Sequence, residues 1–272
     1  MRPTPVNTSV RRPAVAGLFY PQDAGELRAI VSAYLRQTPA ASLPTPPKAL
    51  IVPHAGYVYS GVAAAAAYAL VAEQRRRVRR VVLIGPSHRV YLQGAAVPQS
   101  ESFETPLGAI AIDAELRSAL LQRGDVLQSD EPHALEHSLE VQLPFLQTLF
   151  ENFTLLPIVL GVASPDYVAS VLADVWGEED TLVLASSDLS HYHSYEAAQR
   201  IDAATSAAIL RYDATLSGDQ ACGAVAINGL LQIARMKALE ITQIMRYNSG
   251  DTAGDRARVV GYGAFAIHRA LA

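Results

Sequence analysis

The chain has a single cysteine, Cys222, among 272 residues. It has no partner for an internal disulfide and suits a reducing compartment. Charge of one sign is equally scarce, with 22 Lys and Arg against 26 Asp and Glu for a net −4. Nucleic-acid binding rests on cations that neutralise phosphate, so this balance argues against that class of partner. No long apolar run is present. The longest, residues 61–72, is alanine-rich and uncharged, but shorter than the ~20 residues a bilayer helix needs. Residues 1–12 carry arginines with no apolar segment behind them. Neither a signal peptide nor a membrane span is therefore expected, and a cytoplasmic location is. Internal repeats and long low-complexity tracts are missing as well.

Half of the residues are hydrophobic, which with the small net charge excludes general disorder. The length suits one α/β domain over residues 1–272. A proline-rich stretch, 38–47 (TPAASLPTPP), separates an amphipathic helix over 23–36 from the first strong strand signal. In that helix Leu27, Ile30, Val31, Tyr34 and Leu35 share one face. Short apolar runs then alternate with helical segments. The run 49–52 (ALIV) precedes a helix over 61–73, and 81–84 (VVLI) precedes an irregular β-like region over 95–112. The run 155–160 precedes a helix over 166–175, and 182–185 (LVLA) precedes one over 195–211. A further helix is read over 224–234. Two strands, 240–247 and 258–267, flank an SGDTAGD turn. Fully apolar strands between helices predict a mostly parallel central sheet flanked by helices, an α/β/α sandwich.

In such a sheet ligands bind beyond the carboxyl ends of the strands. ALIV is followed by Pro53-His54-Ala55-Gly56, VVLI by Gly85-Pro86-Ser87-His88, and LVLA by Ser186-Ser187-Asp188-Leu189-Ser190-His191. Three strands thus bring imidazoles and a carboxylate to one edge. A lone histidine after a strand is commonly a turn or surface residue. Three such sites together point to a divalent transition-metal centre or acid–base chemistry. Asp188 and Glu140 are candidate carboxylate ligands, and Cys222 is the thiolate candidate. Cys222 stands before the helical stretch 224–234, where a helix N-terminus lowers a thiol pKa. On the residues alone, a small buried hydrophobe is the preferred reading of a lone cysteine.

Other catalytic templates compete with this reading. His133-Ala134-Leu135-Glu136-His137 fits the H-x-x-E-H pattern of a zinc hydrolase. However, Pro132 places His133 at the very start of any helix, and no third ligand follows at an obvious spacing. Glu136, His137 and Glu140 can instead line the strand-end crevice, or Glu136 can charge a first helical turn. The basic run Arg75 to Arg80 lies at the opposite end from the histidine turns and reads as a solvated connector. Ser186, Ser187, Asp188 and His191 are too crowded in one loop for a hydrolase triad. Neither a G-x-S-x-G elbow, a P-loop nor a dinucleotide fingerprint is found.

The segments AGLFYP (16–21), PHAGYVYSG (53–61), GPSH (85–88), EHSLEVQLPFL (136–146), SSDLSHY (186–192), Cys222-Gly223, the SGD step and GYGAFA occur in that order. Together they resemble the Memo family, whose prokaryotic members are also called AmmeMemoRadiSam system protein B. The resemblance implies a fold similar to the LigB-type class III extradiol dioxygenases, which are non-haem iron enzymes. It implies that His54, His88 and Cys222 are metal ligands, which reverses the residue-level preference for Cys222. It also places Asp188 and His191 beside the metal, with His191 as the acid–base histidine. The cysteine replaces a dioxygenase glutamate, so Fe(II) or copper, with zinc as a further candidate, would sit in a softer donor set.

The function that follows is a metal-binding redox protein, dioxygenase-like in its use of oxygen. The substrate would be a small molecule or peptide. The alternatives are a non-catalytic peptide-binding adaptor using the same crevice, and a zinc hydrolase. Family association implies AMMECR-type and radical SAM protein partners, and a homodimer is compatible with the composition.

Overall fold

A computed structural model describes residues 9–38 and 42–271. The chain runs β1 (Val10–Arg11), α1 (Ala24–Gln37), β2 (Pro47–Val52), α2 (Tyr57–Ala69), β3 (Arg80–Pro86) and β4 (Ala95–Val97). It continues through β5 (Ser102–Thr105), β6 (Gly108–Ala111), α3 (Ala114–Leu121), β7 (Val126–Gln128), α4 (Glu131–Ala134) and α5 (Leu143–Leu149). Next come β8 (Thr154–Leu160), α6 (Pro165–Val175), β9 (Thr181–Ser186), β10 (His191–His193), α7 (Tyr195–Leu210) and α8 (Ala224–Met236). The antiparallel pair β11 (Leu239–Asn248) and β12 (Val259–Arg269) completes it.

The main sheet has the order β11-β12-β2-β9-β3-β8-β4-β7, with β10 paired to the start of β12. Its centre, β2, β9, β3 and β8, is parallel. Antiparallel pairings flank that centre on both sides, β12 on β2 and β4 on β8. The expected α/β layering is present, and the sheet is mixed. The parallel character belongs to the strands joined through helices, whereas β11 and β12 follow one another directly through a turn.

Alternation along the central strands builds two cores. Leu50, Val52, Val81, Leu83, Leu182 and Leu184 face a layer with Leu27 and Val31 of α1, the α2 alanines and Phe145 of α5. Ala49, Ile51, Val82, Ile84, Val183 and Ala185 face Val168 and Leu172 of α6 and Ile227 and Leu230 of α8. Burial on both faces explains why these strands read as unbroken apolar runs. Each large aliphatic side chain so buried contributes about 1.5–3 kcal/mol.

Helix ends follow their local chemistry. Asp23 caps α1 by accepting from the Glu26 amide at 2.8 Å, and Ser164 caps α6 with Pro165 in its first turn. Helix α2 begins at Tyr57, earlier than the expected residue 61. Gly61 lies inside this helix, where a Cβ would come within 2.7 Å of the Tyr34 ring. Its role is close packing of α1 on α2, not helix initiation.

The irregular region 95–112 divides between two sheets. Strand β4 joins the main sheet, while β5 and β6 form a hairpin that pairs with β1 in a separate three-stranded sheet. The proline-rich stretch 38–47 lies partly outside the described residues, and Pro47 is already strand. Among the described residues, no helix is long and apolar enough to cross a membrane.

Candidate metal centre

Strands β2, β9 and β3 are adjacent and parallel, with Val52 opposite Ser186. Their carboxyl ends therefore open on one cleft. His54 follows β2, His88 follows β3 and Asp188 follows β9. Cys222 reaches the same place from the loop before α8. Its amide donates to the Asp188 carbonyl at 3.2 Å, and the Gly223 amide donates to Ser187 Oγ at 2.9 Å. A Cβ on Gly223 would stand 2.6 Å from the Ser186 carbonyl oxygen. Only glycine permits this approach of the α8 entry to the end of β9. Phe19, His54, His88, His137, Asp188, His191 and Cys222 are among the residues lining a cleft of about 620 Å³.

Hydrogen bonds fix how the two imidazoles face that cleft. Ser186 Oγ donates its one proton to the Ser138 carbonyl at 2.6 Å and accepts from Gln142 Nε2 at 2.8 Å. Its remaining partner, His54 Nδ1 at 2.9 Å, must therefore be the donor. This leaves the lone pair on His54 Nε2, which lies 3.2 Å from Cys222 Sγ. At the second imidazole, buried Glu136 takes the His88 Nδ1 at 2.9 Å and the His88 amide at 2.6 Å. Burial alone would raise the Glu136 carboxyl. The hydrogen bond and charge of His88, with the His88 and Ser138 amides, bring it down to about 2. An ionised carboxylate only accepts, so His88 Nδ1 donates, and in the neutral imidazole Nε2 carries the lone pair. Ligand atoms of His54, His88 and Cys222 all lie within 4.8 Å of one another.

The helix N-terminus does not lower the Cys222 pKa as expected. Burial, reinforced by Asp188, pushes the thiol up to about 12, against opposing hydrogen bonds from Asp188, Ser187 and Gly223. A neutral thiol can donate to His54 Nε2, and a bound cation would displace that proton. Asp188 is buried, and desolvation raises its carboxyl to about 7, against hydrogen bonds from the His54 and Ala55 amides and the charge of His88. Its Oδ1 accepts from the His54 amide at 2.7 Å. His191 is lowered by burial, offset in part by a hydrogen bond to the Leu189 backbone.

The family described as "Memo-like protein" matches residues 11–266. The chain belongs to the Memo family. A MEMO1 family protein of Thermoplasma volcanium is 36% identical over 275 residues, covering 96% of this chain and all of that one. Relatives from Aquifex aeolicus and Ignicoccus hospitalis are 37% and 38% identical, covering 93% and 94% of this chain and 97% of their own. A solved structure of an uncharacterized Escherichia coli protein superposes with a TM-score of 0.52 at 11% identity. It covers 80% of this chain and 98% of that one, a likeness of fold alone.

Within this Memo chain, two sequence candidates stand apart from the cleft. Glu140 is not a candidate ligand. It is buried against Arg11 and Tyr20, and also accepts from the amides of Ala14 at 2.7 Å and Val15 at 3.0 Å. Its charge is consumed in pinning the N-terminal segment. The H-x-x-E-H pattern does not act as a unit either. His133 Nε2 bonds the Ala96 carbonyl at 3.1 Å and its ring packs on Phe103. His137 is in the cleft, its ring 4.7 Å from that of His88 and 5.3 Å from that of His54. The sequence allows Glu136 and His137 to line the crevice, with a first helical turn as the alternative for Glu136 alone. Their adjacency in one motif was the only signal. The basic run lies where expected, since Arg80 opens β3 and His88 follows its far end.

Proposed function

We propose that the cleft is a mononuclear metal centre of a redox protein, with His54, His88 and Cys222 as ligands and iron(II) or copper as the ion. The single observation that carries this reading is the orientation of the donors. Both imidazoles spend Nδ1 on an inward acceptor and present Nε2 lone pairs beside a thiol. Metal-bound histidines are held in this way, with a carboxylate or other acceptor fixing the tautomer. Two imidazoles and one thiolate suit copper, iron and zinc.

When bound, such an ion supplies an electron-transfer or oxygen-activating centre. The chain's own residues do the rest. Asp188 grips the His54 amide and so fixes the first ligand's backbone. His191, whose pKa burial lowers, is neutral near pH 7 and can take a proton from a hydroxyl of a small oxygen-bearing substrate. Phe19 and Tyr192 wall the opening.

Elemental analysis of protein prepared without oxygen tests this. About one equivalent of iron or copper is expected, and Cys222→Ala should lose most of it. A full complement in that variant would remove the thiolate from the ligand set. Metal loading without oxygen uptake across catechol-like substrates would remove the dioxygenase reading and keep the metal site.

A further inference from the structure

The opposite end of the same strands holds a second cavity, of about 540 Å³. Strands β2 and β9 begin there, at Pro47 and Thr181. Six-residue strands set it about 20 Å from the metal cleft. Of the chain's 22 basic residues only Lys48 and Lys237 are lysines, and both lie in this cavity. They also share one neighbour, the only tryptophan. The Lys48 and Lys237 Nζ atoms lie 5.5 and 5.6 Å from the centroid of the Trp176 ring.

The two lysines are placed by different means. Lys48 Nζ donates to the carbonyls of Glu178 and Thr181, both at 2.6 Å, and of Gly177 at 3.3 Å. Burial lowers its pKa to about 8, against the charges of Asp180 and Glu178. Lys237 is the C-cap residue of α8, and Ala238 after it has a positive φ of 51° that carries the chain from α8 into β11. Among the described residues, Lys237 forms no ion pair with a carboxylate within 4 Å, whereas Arg77 and Arg269 converge on one carboxylate, Glu179. Glu179 thus occupies a fork of two guanidinium groups, as a ligand's anionic group would.

We propose that this cavity binds a compact polyanion bearing phosphate or carboxylate groups. Its charge would displace Glu179 from Arg77 and Arg269 and be met by Lys237 over the face of Trp176. The cavity lining carries four cations, Lys48, Arg77, Lys237 and Arg269, against two acids, Glu178 and Glu179, with Asp180 acting on Lys48 from beside it. In a chain of net charge −4, this local excess is what such a ligand requires.

The lone tryptophan is the reporter. Its emission is followed while inorganic pyrophosphate, and separately citrate, is added at ionic strength held constant with chloride. A saturable change with a midpoint near or below about 1 mM is expected for at least one of them. Pyrophosphate alone would name phosphate as the recognised group, and both together would name polyanions in general. Lys237→Gln and Arg77→Gln should each weaken binding about tenfold, and Glu179→Gln should tighten it. Far-ultraviolet circular dichroism checks that these surface variants keep the fold. No saturable change with either anion, or midpoints unmoved in the three variants, would overturn the proposal. The readout needs no metal, so its failure is separate from failure of the cleft.

Discussion

Glu136→Gln is the sharpest perturbation of the cleft, because it preserves shape and removes one charge and one acceptor. Glu136 is 2% exposed and serves three donors: the His88 amide at 2.6 Å, His88 Nδ1 at 2.9 Å and the Ser138 amide at 2.9 Å. A glutamine has one acceptor oxygen and an NH2. With its oxygen on the His88 amide, the NH2 faces His88 Nδ1, which then loses its proton to Nε2. That tautomer closes the lone pair aimed at the cleft. With the oxygen on Nδ1, the NH2 meets the part-buried His88 amide and leaves it without its acceptor, at a cost of about 1 kcal/mol. Removing a group that orients a ligand typically lowers metal affinity 10- to 100-fold, or about 1.4–2.7 kcal/mol. The assay is competition with a coloured chelator for iron(II) under anaerobic conditions, with thermal unfolding of the metal-free protein alongside. A Glu136→Gln protein that binds iron(II) like wild type and melts at the same temperature would refute the orientation argument.

Three more outcomes are expected. Gly223→Ala should cost about 1–3 kcal/mol in urea unfolding, because its Cβ would meet Ser186 and Ser187. It should also weaken metal retention by shifting Cys222; an unchanged metal content would detach Cys222 from the centre. Glu140→Gln leaves buried Arg11 without its carboxylate and should lose about 3–5 kcal/mol of stability with metal stoichiometry intact. The opposite pattern would return Glu140 to the ligand set. His133 is pushed down to about 4 by burial, from 6.5, so below pH 6.5 the unfolded chain takes up a proton that the folded chain refuses. Stability present above pH 6.5 is then lost as the pH falls through 4, by about 3 kcal/mol. His133→Gln should flatten that part of the urea-midpoint profile, and parallel profiles for variant and wild type would dismiss His133 as the cause.

The central strands were readable because burial on both faces leaves them no polar positions, so ALIV, VVLI and LVLA stand out as runs. The turns after them were readable because parallel neighbours end on the same edge. What escaped depended on partners distant in sequence. Nothing local to Glu140 announces that Arg11, Ala14, Val15 and Tyr20 will gather on it. Gly61 looked like a helix boundary because its purpose, room for the Tyr34 ring, lies in another helix. The sheet formed by β1, β5 and β6 rests on a two-residue strand with no periodicity to detect. The Cys222 pKa went the other way because helix position is visible in a sequence and desolvation is not.

The place of β2 in the sheet has a consequence for biosynthesis. It is hydrogen-bonded between β9 and β12, so the strand that leads into His54 emerges from the ribosome long before either neighbour. Until residues 181–186 and 259–269 have followed, both of its edges lack their native cover. Pairings so distant in sequence close slowly and leave aggregation-prone edges exposed. The nascent chain therefore cannot assemble this centre stepwise. Its first imidazole waits, unclamped, until Ser186 and Asp188 have been made.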